Sequence, residues 1–147
     1  MKKGFTSKEL LIALIIILSL GTLAYYIYTK TTSSSNKQEL INQAILHIDE
    51  LNARIIEAKS NGKTTIFQTY IPKKEGQTST FNIENINLNR NDKYKGIIKV
   101  TYNKNKYEYK IAIQDGKYML GTKKNPTEKK NINEKNITTY TKRIFEQ

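Results

Sequence analysis

The chain contains no cysteine and no tryptophan, and only one histidine and two prolines in 147 residues. Without thiols there is no disulfide, no thiolate nucleophile and no cysteine-held zinc or iron–sulfur cluster. One histidine, His47, cannot share a metal with a second imidazole, and no Ser–His–Asp set assembles around it. The seven glycines form no phosphate-cradling loop, and the acids show no paired arrangement of the kind that runs acid–base chemistry. These gaps lead to the expectation of a chain that is not an enzyme and needs no metal and no cofactor. Acidic residues are also scarce: 13 Asp and Glu against 25 Lys and Arg, a formal net charge of +12. Such an excess attracts anionic partners, among them nucleic acid, wall polymers and phospholipid headgroups. It is equally the solvated surface of a lysine-rich protein, because the lysines are spread from Lys30 to Lys142.

What is present is concentrated at the start. Leu10 to Tyr28 carries no formal charge. As a helix at 1.5 Å per residue it is roughly 28 Å long, close to the hydrocarbon thickness of a bilayer. Lys2, Lys3 and Lys8 flank its beginning, which predicts a cytoplasmic N-terminus. Tyr25, Tyr26 and Tyr28 cluster at its far end, where an aromatic belt sits, and Gly21 lets a second helix approach closely.

Glu9 stands at the mouth of this run. Burying an unpaired carboxylate at the centre of a membrane helix costs roughly 2.5–3.5 kcal/mol on insertion scales, so Glu9 needs a cationic partner. A cut between Gly4 and Phe5 supplies one, because the new amine on Phe5 lies one helical turn from Glu9. A carboxylate near a helix N-terminus also gains roughly 0.3–1 kcal/mol from the macrodipole.

Basic residues, Gly4, Phe5, then Glu9 and an apolar helix resemble the N-terminal processing signal of type IV pilins and pseudopilins. The block Gly4-Phe5-Thr6 with Glu9-Leu10-Leu11-Ile12 carries the resemblance. Ser7 and Lys8 stand where members have apolar residues, and the proline common near the end of the apolar segment is replaced by Tyr25 and Tyr26. The resemblance implies a prepilin peptidase that cuts after Gly4 and methylates Phe5, other pilin subunits and an assembly platform as partners, and Glu9 as the assembly residue. It implies a single-pass protein of the cytoplasmic membrane that becomes part of an extracellular filament, as a minor pilin. A pseudopilin of a DNA-uptake or type II secretion machine shares the signal. Residues 1–24 also fit an ordinary secretory signal ending at Thr22-Leu23-Ala24, or an uncleaved anchor for a binding domain that never polymerises. Both leave Glu9 without a role.

Thr29 to Lys37, centred on Ser33-Ser34-Ser35, reads either as an interruption in one long helix or as a short linker. Over 36–60, Leu40, Ile41, Ala44, Ile45, Ile48, Leu51, Ile55 and Ile56 recur at three- and four-residue steps, the pattern of an amphipathic helix. His47 falls just off this stripe and reads as a flank residue, and Asn61-Gly62 as the stop. Beyond Gly62 the period becomes two. Thr64 to Ile71 is β-rich, Pro72 to Thr80 is loop, and Thr80 to Leu88 is loop with one short strand. Ile97 to Tyr102, Tyr107 to Ile113 and Lys117 to Leu120 form a meander through turns at Asn103-Lys104-Asn105 and Asp115-Gly116. Tyr107, Tyr109, Ile111 and Ile113 share one face, and Glu108, Lys110 and Ala112 the other.

The expected fold is α+β: a long N-terminal helix packed on a small antiparallel meander. It is organised as residues 1–4 (leader), 5–29 (membrane or filament-core helix), 30–120 (globular domain, with its sheet over 64–120) and a basic tail, 121–147. That tail is either flexible or packs Ile132, Ile137, Tyr140, Ile144 and Phe145 onto the domain. Tyr102, Lys104, Lys106, Tyr107, Lys110 and Lys117, with Tyr109 and Tyr118 nearby, form a candidate contact for DNA or another polyanion. The competing reading makes these tyrosines half-buried sheet residues.

Overall fold

The computed structural model describes residues 7–60, 70–86 and 92–147. It divides into two compact units, Met1–Asn36 and Lys37–Gln147. Helix α1 (Ser7–Ser60) contributes to both. The stretch around Ser33-Ser34-Ser35 is helical without a break, so it is neither an interruption in the helix nor a linker.

In the first unit the apolar side chains cover the helix on every side and are exposed. Leu10, Leu11, Ile12, Leu14, Ile15, Ile17 and Leu18 are all more than half exposed. A helix apolar all round needs an apolar surrounding, and this one is long and apolar enough to cross a membrane, with a mean hydropathy of 2.5. Its hydroxyls are turned back onto the helix. Ser19 Oγ donates to the Ile16 carbonyl at 2.8 Å, Thr22 Oγ1 to Ser19 at 2.8 Å and Thr29 Oγ1 to Tyr26 at 3.0 Å. That satisfies each hydroxyl without water.

The second unit is a helix on an antiparallel sheet. Leu40, Ile41, Ala44, Ile48, Leu51 and Ile55 of α1 are buried. Two residues expected on this stripe are not: Ile45 is 36% and Ile56 58% exposed. His47, expected on the flank, is instead buried. At 100° per residue the buried arc centres between Ala44, Leu51 and Ile48, and His47 continues the series Leu40, Ala44, Leu51, whereas Ile45 and Ile56 rotate past its other border. The His47 Nδ1–H donates to the Gln43 carbonyl at 2.7 Å, and among the described residues Nε2 has no partner.

The strands are β1 (Thr78–Asn82), β2 (Lys95–Asn103), β3 (Lys106–Gln114), β4 (Tyr118–Leu120), β5 (Thr127–Glu128) and β6 (Ile137–Thr139). Short helices α2 (Ile83–Ile86) and α3 (Lys142–Phe145) follow β1 and β6. The sheet order is β1-β2-β3-β4-β6, with β5 also paired to β3. Of the strand expected over 64–71, residues 64–69 lie outside the described residues, as does the Asn61-Gly62 stop, while Tyr70 and Ile71 form a turn and a bend. The short strand expected within 80–88 begins earlier, at Thr78, and gives way to α2; Leu88 lies outside the described residues.

Both expected turns are present. Lys104 and Asn105 take φ of 47° and 62°, a two-residue turn of the hand that fits twisted strands. The second turn is displaced by one residue from the expected Asp115-Gly116: Asp115 continues the register opposite Tyr118, its N–H donating to the Tyr118 carbonyl, so the loop is Gly116-Lys117, and the Asp115 Oδ1 accepts the amides of Lys117 and Tyr118.

The sheet does not stop at residue 120. After β4 the chain leaves through Gly121, at φ 71°, loops out and returns to the same edge of β3 as β5, where Lys110 and Ile111 pair with Glu128 and Thr127. A Cβ on Gly121 would lie 2.9 Å from the Thr127 nitrogen, so the close return requires glycine. β6 then pairs with β4 through Ile137 and Leu120. Of the two options for residues 121–147, packing is the one realised, through buried Ile137 and Phe145 and partly buried Ile132 and Tyr140; Ile144, expected to pack with them, is exposed.

The core therefore has two sides. Against α1 lie Ile98, Val100, Ile111, Ile113, Tyr118, Leu120 and Ile137. On the opposite face Ile97, Ala112 and Met119 are covered by Phe145 of α3 and by Tyr140. Each fully buried Leu, Ile or Phe contributes about 1.5–3 kcal/mol. Ala112, on the face it shares by alternation with Glu108 and Lys110, is fully buried because the returning tail covers it.

Candidate functional site

Gly4 and Phe5 lie outside the described residues. Glu9 falls in the opening turns of α1, and its side chain lies outside the described residues too. The segment that follows Glu9 is the exposed apolar helix described above.

The sheet takes the candidate polyanion contact apart. Alternation places Tyr102, Tyr107 and Tyr109 on the face that meets α1. Tyr102 and Tyr107 are cross-strand partners with ring centroids 5.1 Å apart. Lys59 of α1 lies over both, 5.4 and 4.5 Å from the two centroids. The Tyr107 hydroxyl donates to the Pro72 carbonyl at 3.2 Å and that of Tyr109 to Asn52 Oδ1 at 2.7 Å. Tyr118 is buried. The rings used by the core and by Lys59 do not form an open stacking platform.

The lysines separate as well. Lys106 and Lys110 project from the opposite face of the sheet, where Lys110 pairs with Glu128 at 3.4 Å. Lys104 sits at the tip of the β2–β3 hairpin, its amide held by both oxygens of Glu75 at 3.0 Å. Lys117 lies in the next turn, at the other end of β3, about 30 Å away for a nine-residue strand. Sequence proximity brought these residues into one group, and the pleat and the turns distribute them over two faces and two ends.

A cluster not anticipated from the sequence joins Glu39, Lys93 and Tyr94. The Tyr94 hydroxyl donates a short hydrogen bond to Glu39 Oε1, which Lys93 Nζ approaches at 3.3 Å. The Tyr94 hydrogen bond, aided by that of Lys93, holds the Glu39 carboxyl below the ordinary carboxylate range. Burial, with the Glu39 hydrogen bond, pushes the Tyr94 phenol up to about 12. For Lys93 burial works downward, but its bonds to Tyr94 and Glu39 prevail and raise it. The cluster clamps residues 93–94, which precede β2, to the first turns of α1 in this unit. The exposed ion pair adds little by itself; the buried ring with a satisfied hydroxyl contributes more. Its sequence signal is a lone Asp-Lys-Tyr-Lys before an apolar strand, which nothing local ties to Glu39.

On the outer face Glu128 is shared by Lys130 at 2.9 Å and Lys110. The Lys130 hydrogen bond lowers the Glu128 pKa, and Glu128 in turn raises that of Lys130. No group of three or more His, Asp or Glu that could hold a metal ion gathers among the described residues. Comparison of this chain with protein-family models, with curated proteins and with solved structures finds no match.

Proposed function

We propose that this chain is a structural subunit of a type IV pilus-like filament, a minor pilin. The observation that carries the reading is Gly4-Phe5 followed by Glu9 directly ahead of a charge-free apolar run. A prepilin peptidase cuts after Gly4 and methylates the Phe5 amine. Residues 10–28 hold the subunit in the cytoplasmic membrane, and assembly then moves that helix into a filament core. There Glu9 pairs with the Phe5 amine of its own or a neighbouring subunit, because a carboxylate left unpaired in an apolar core is strongly penalised, and the pairing fixes register. The globular unit goes to the filament surface. In this reading the chain is a substrate of processing enzymes and not a catalyst.

Two features of the structure support it. The apolar helix is exposed all round with its hydroxyls folded back, as a helix requires that moves between lipid and a helical core. The same element carries a sheet domain that covers its own core. The alternative of a DNA-uptake pseudopilin is favoured less, because the tyrosines and lysines considered for DNA contact are spread over two faces and two ends of β3.

The test is co-expression with a prepilin peptidase followed by intact-mass analysis. A species that starts at methylated Phe5 supports the reading. A product that retains Lys2 and Lys3 overturns it. In cells that assemble filaments from this chain, Glu9→Gln is expected to abolish incorporation while leaving membrane insertion intact.

A further inference from the structure

We propose that the end of the sheet domain around Lys37 is a contact surface for anionic phospholipid headgroups, used while the subunit resides in the membrane. The inference rests on the reading that residues 10–28 span the bilayer. The globular unit begins at Lys37, and only residues 29–36 separate it from Tyr28, the last aromatic of the apolar run. Eight residues reach about 12 Å as a helix and at most about 28 Å fully extended. Whatever angle the domain takes, the Lys37 end is the one tethered near the lipid surface.

The contacts of α1 define that end. Lys59 meets the rings of Tyr102 and Tyr107 near the hairpin tip, and Asn52 meets Tyr109 midway along. Lys37 lies 5.9 Å from the centroid of Tyr118, beyond the other end of β3. Lys117 approaches the same ring at 5.3 Å. Lys37 and Lys135 line one open groove of about 690 Å³ with Asn133 and Glu134. Three ammonium groups from α1, from the β3–β4 turn and from the segment before β6 thus converge at the tethered end.

The acids there differ in reach. Asp115 is short and held by the amides of Lys117 and Tyr118. Glu39 is engaged by Tyr94 and Lys93. Glu134 lines the groove beside Lys37 and Lys135, and Asp92 and Lys95 flank the Lys93–Tyr94 pair with opposite signs. Lysine stems of four carbons extend to a phosphate plane that carboxylates fixed in a turn do not oppose closely. Each lysine near an anionic surface adds attraction that fades within a Debye length, so three on one tethered end act together.

The experiment uses the full chain reconstituted into phosphatidylcholine vesicles with and without about a third of phosphatidylglycerol. A membrane-impermeant amine reagent acetylates exposed lysines, read residue by residue by mass spectrometry. Lys104 and Lys106, at the far end of the domain, are the internal reference. The expected result is several-fold slower acetylation of Lys117 and Lys135 in the phosphatidylglycerol vesicles, reversed by high salt, with Lys104 and Lys106 unchanged. Equal rates in both compositions overturn the proposal, as does protection that is independent of phosphatidylglycerol. Protection by added duplex DNA but not by phosphatidylglycerol reassigns the surface to a polynucleotide and overturns it too. Resistance to alkaline carbonate extraction reports the membrane span separately: a chain released by carbonate removes the spanning reading and this one with it.

Discussion

Tyr109 Oη donates to Asn52 Oδ1 at 2.7 Å, joining β3 to the C-terminal third of α1 across 57 positions of sequence. The ring completes the apolar side of the helix–sheet contact, and its hydroxyl finds a partner on the helix at the border of that contact. Tyr109→Phe keeps the ring and deletes the bond. Its expected cost is about 1 kcal/mol, read as a lower urea midpoint for the full chain in detergent with an unchanged slope. In a double-mutant cycle with Asn52→Ala, a coupling indistinguishable from zero would sink the assignment.

Alkaline titration separates the tyrosines. Burial, with Tyr107 nearby, pushes the Tyr109 phenol up to about 12, as burial does for Tyr94. A folded pKa above the free value of about 10 favours the folded state fully below pH 10. That contribution declines as pH rises from about 10 to 12. Phenolate absorbance is therefore expected to show two late-titrating groups, the last coincident with unfolding. Glu39 has the opposite sign. Its lowered pKa stabilises the fold above the ordinary carboxylate range, and the contribution is lost as pH falls through the folded value. In Tyr94→Phe the Glu39 carboxyl is expected to titrate higher by NMR, and an unmoved resonance would contradict the clamp.

Gly96 has φ 154°, and a Cβ there would stand 1.9 Å from the Ala112 carbonyl oxygen. The obstacle is backbone of the neighbouring strand, which cannot rotate away. Gly96→Ala is expected to lower stability by about 3 kcal/mol or to prevent folding of the sheet domain. Circular dichroism with near-wild-type β content and unfolding midpoint would refute this. Gly116→Ala, whose Cβ meets nothing within 4 Å, carries only the cost of φ 89° and is the control.

Phe145, two residues before the last, is 1% exposed and packs against Ile97, Ala112 and Met119, with the Tyr140 ring 5.9 Å away. Phe145→Ala is expected to cost about 3–5 kcal/mol, the penalty of a core aromatic. Hydrogen exchange at β4 and β6 should accelerate with it. Ile144→Ala, at an exposed neighbour, should leave both unchanged.

Much was legible where the signal is local. Composition alone marks residues 10–28 as a segment that needs an apolar surrounding, because hydrophobic transfer adds up residue by residue. Three- and four-residue spacing located the helix of the globular unit, and alternation assigned Tyr107, Tyr109, Ile111 and Ile113 to one face of β3. The turn at 103–105 follows from residues that tolerate positive φ.

The sequence by itself determined these periodicities and the charge-free helix, since each depends on backbone geometry within a few residues. Tertiary structure decided the rest. His47 is buried although it is polar, because its place on the 100° wheel faces the sheet. Residues 121–147 pack on the domain, contributing β5 and β6 to its sheet, because Gly121 lets the chain return to β3 and because Phe145 finds an uncovered apolar face. Lys117 is separated from Lys104 and Lys106 by the whole length of β3. The physical reason is common to all three: which faces meet is set by the pairing of strands distant in sequence, and that pairing depends on the sum of many small contacts rather than on any local pattern.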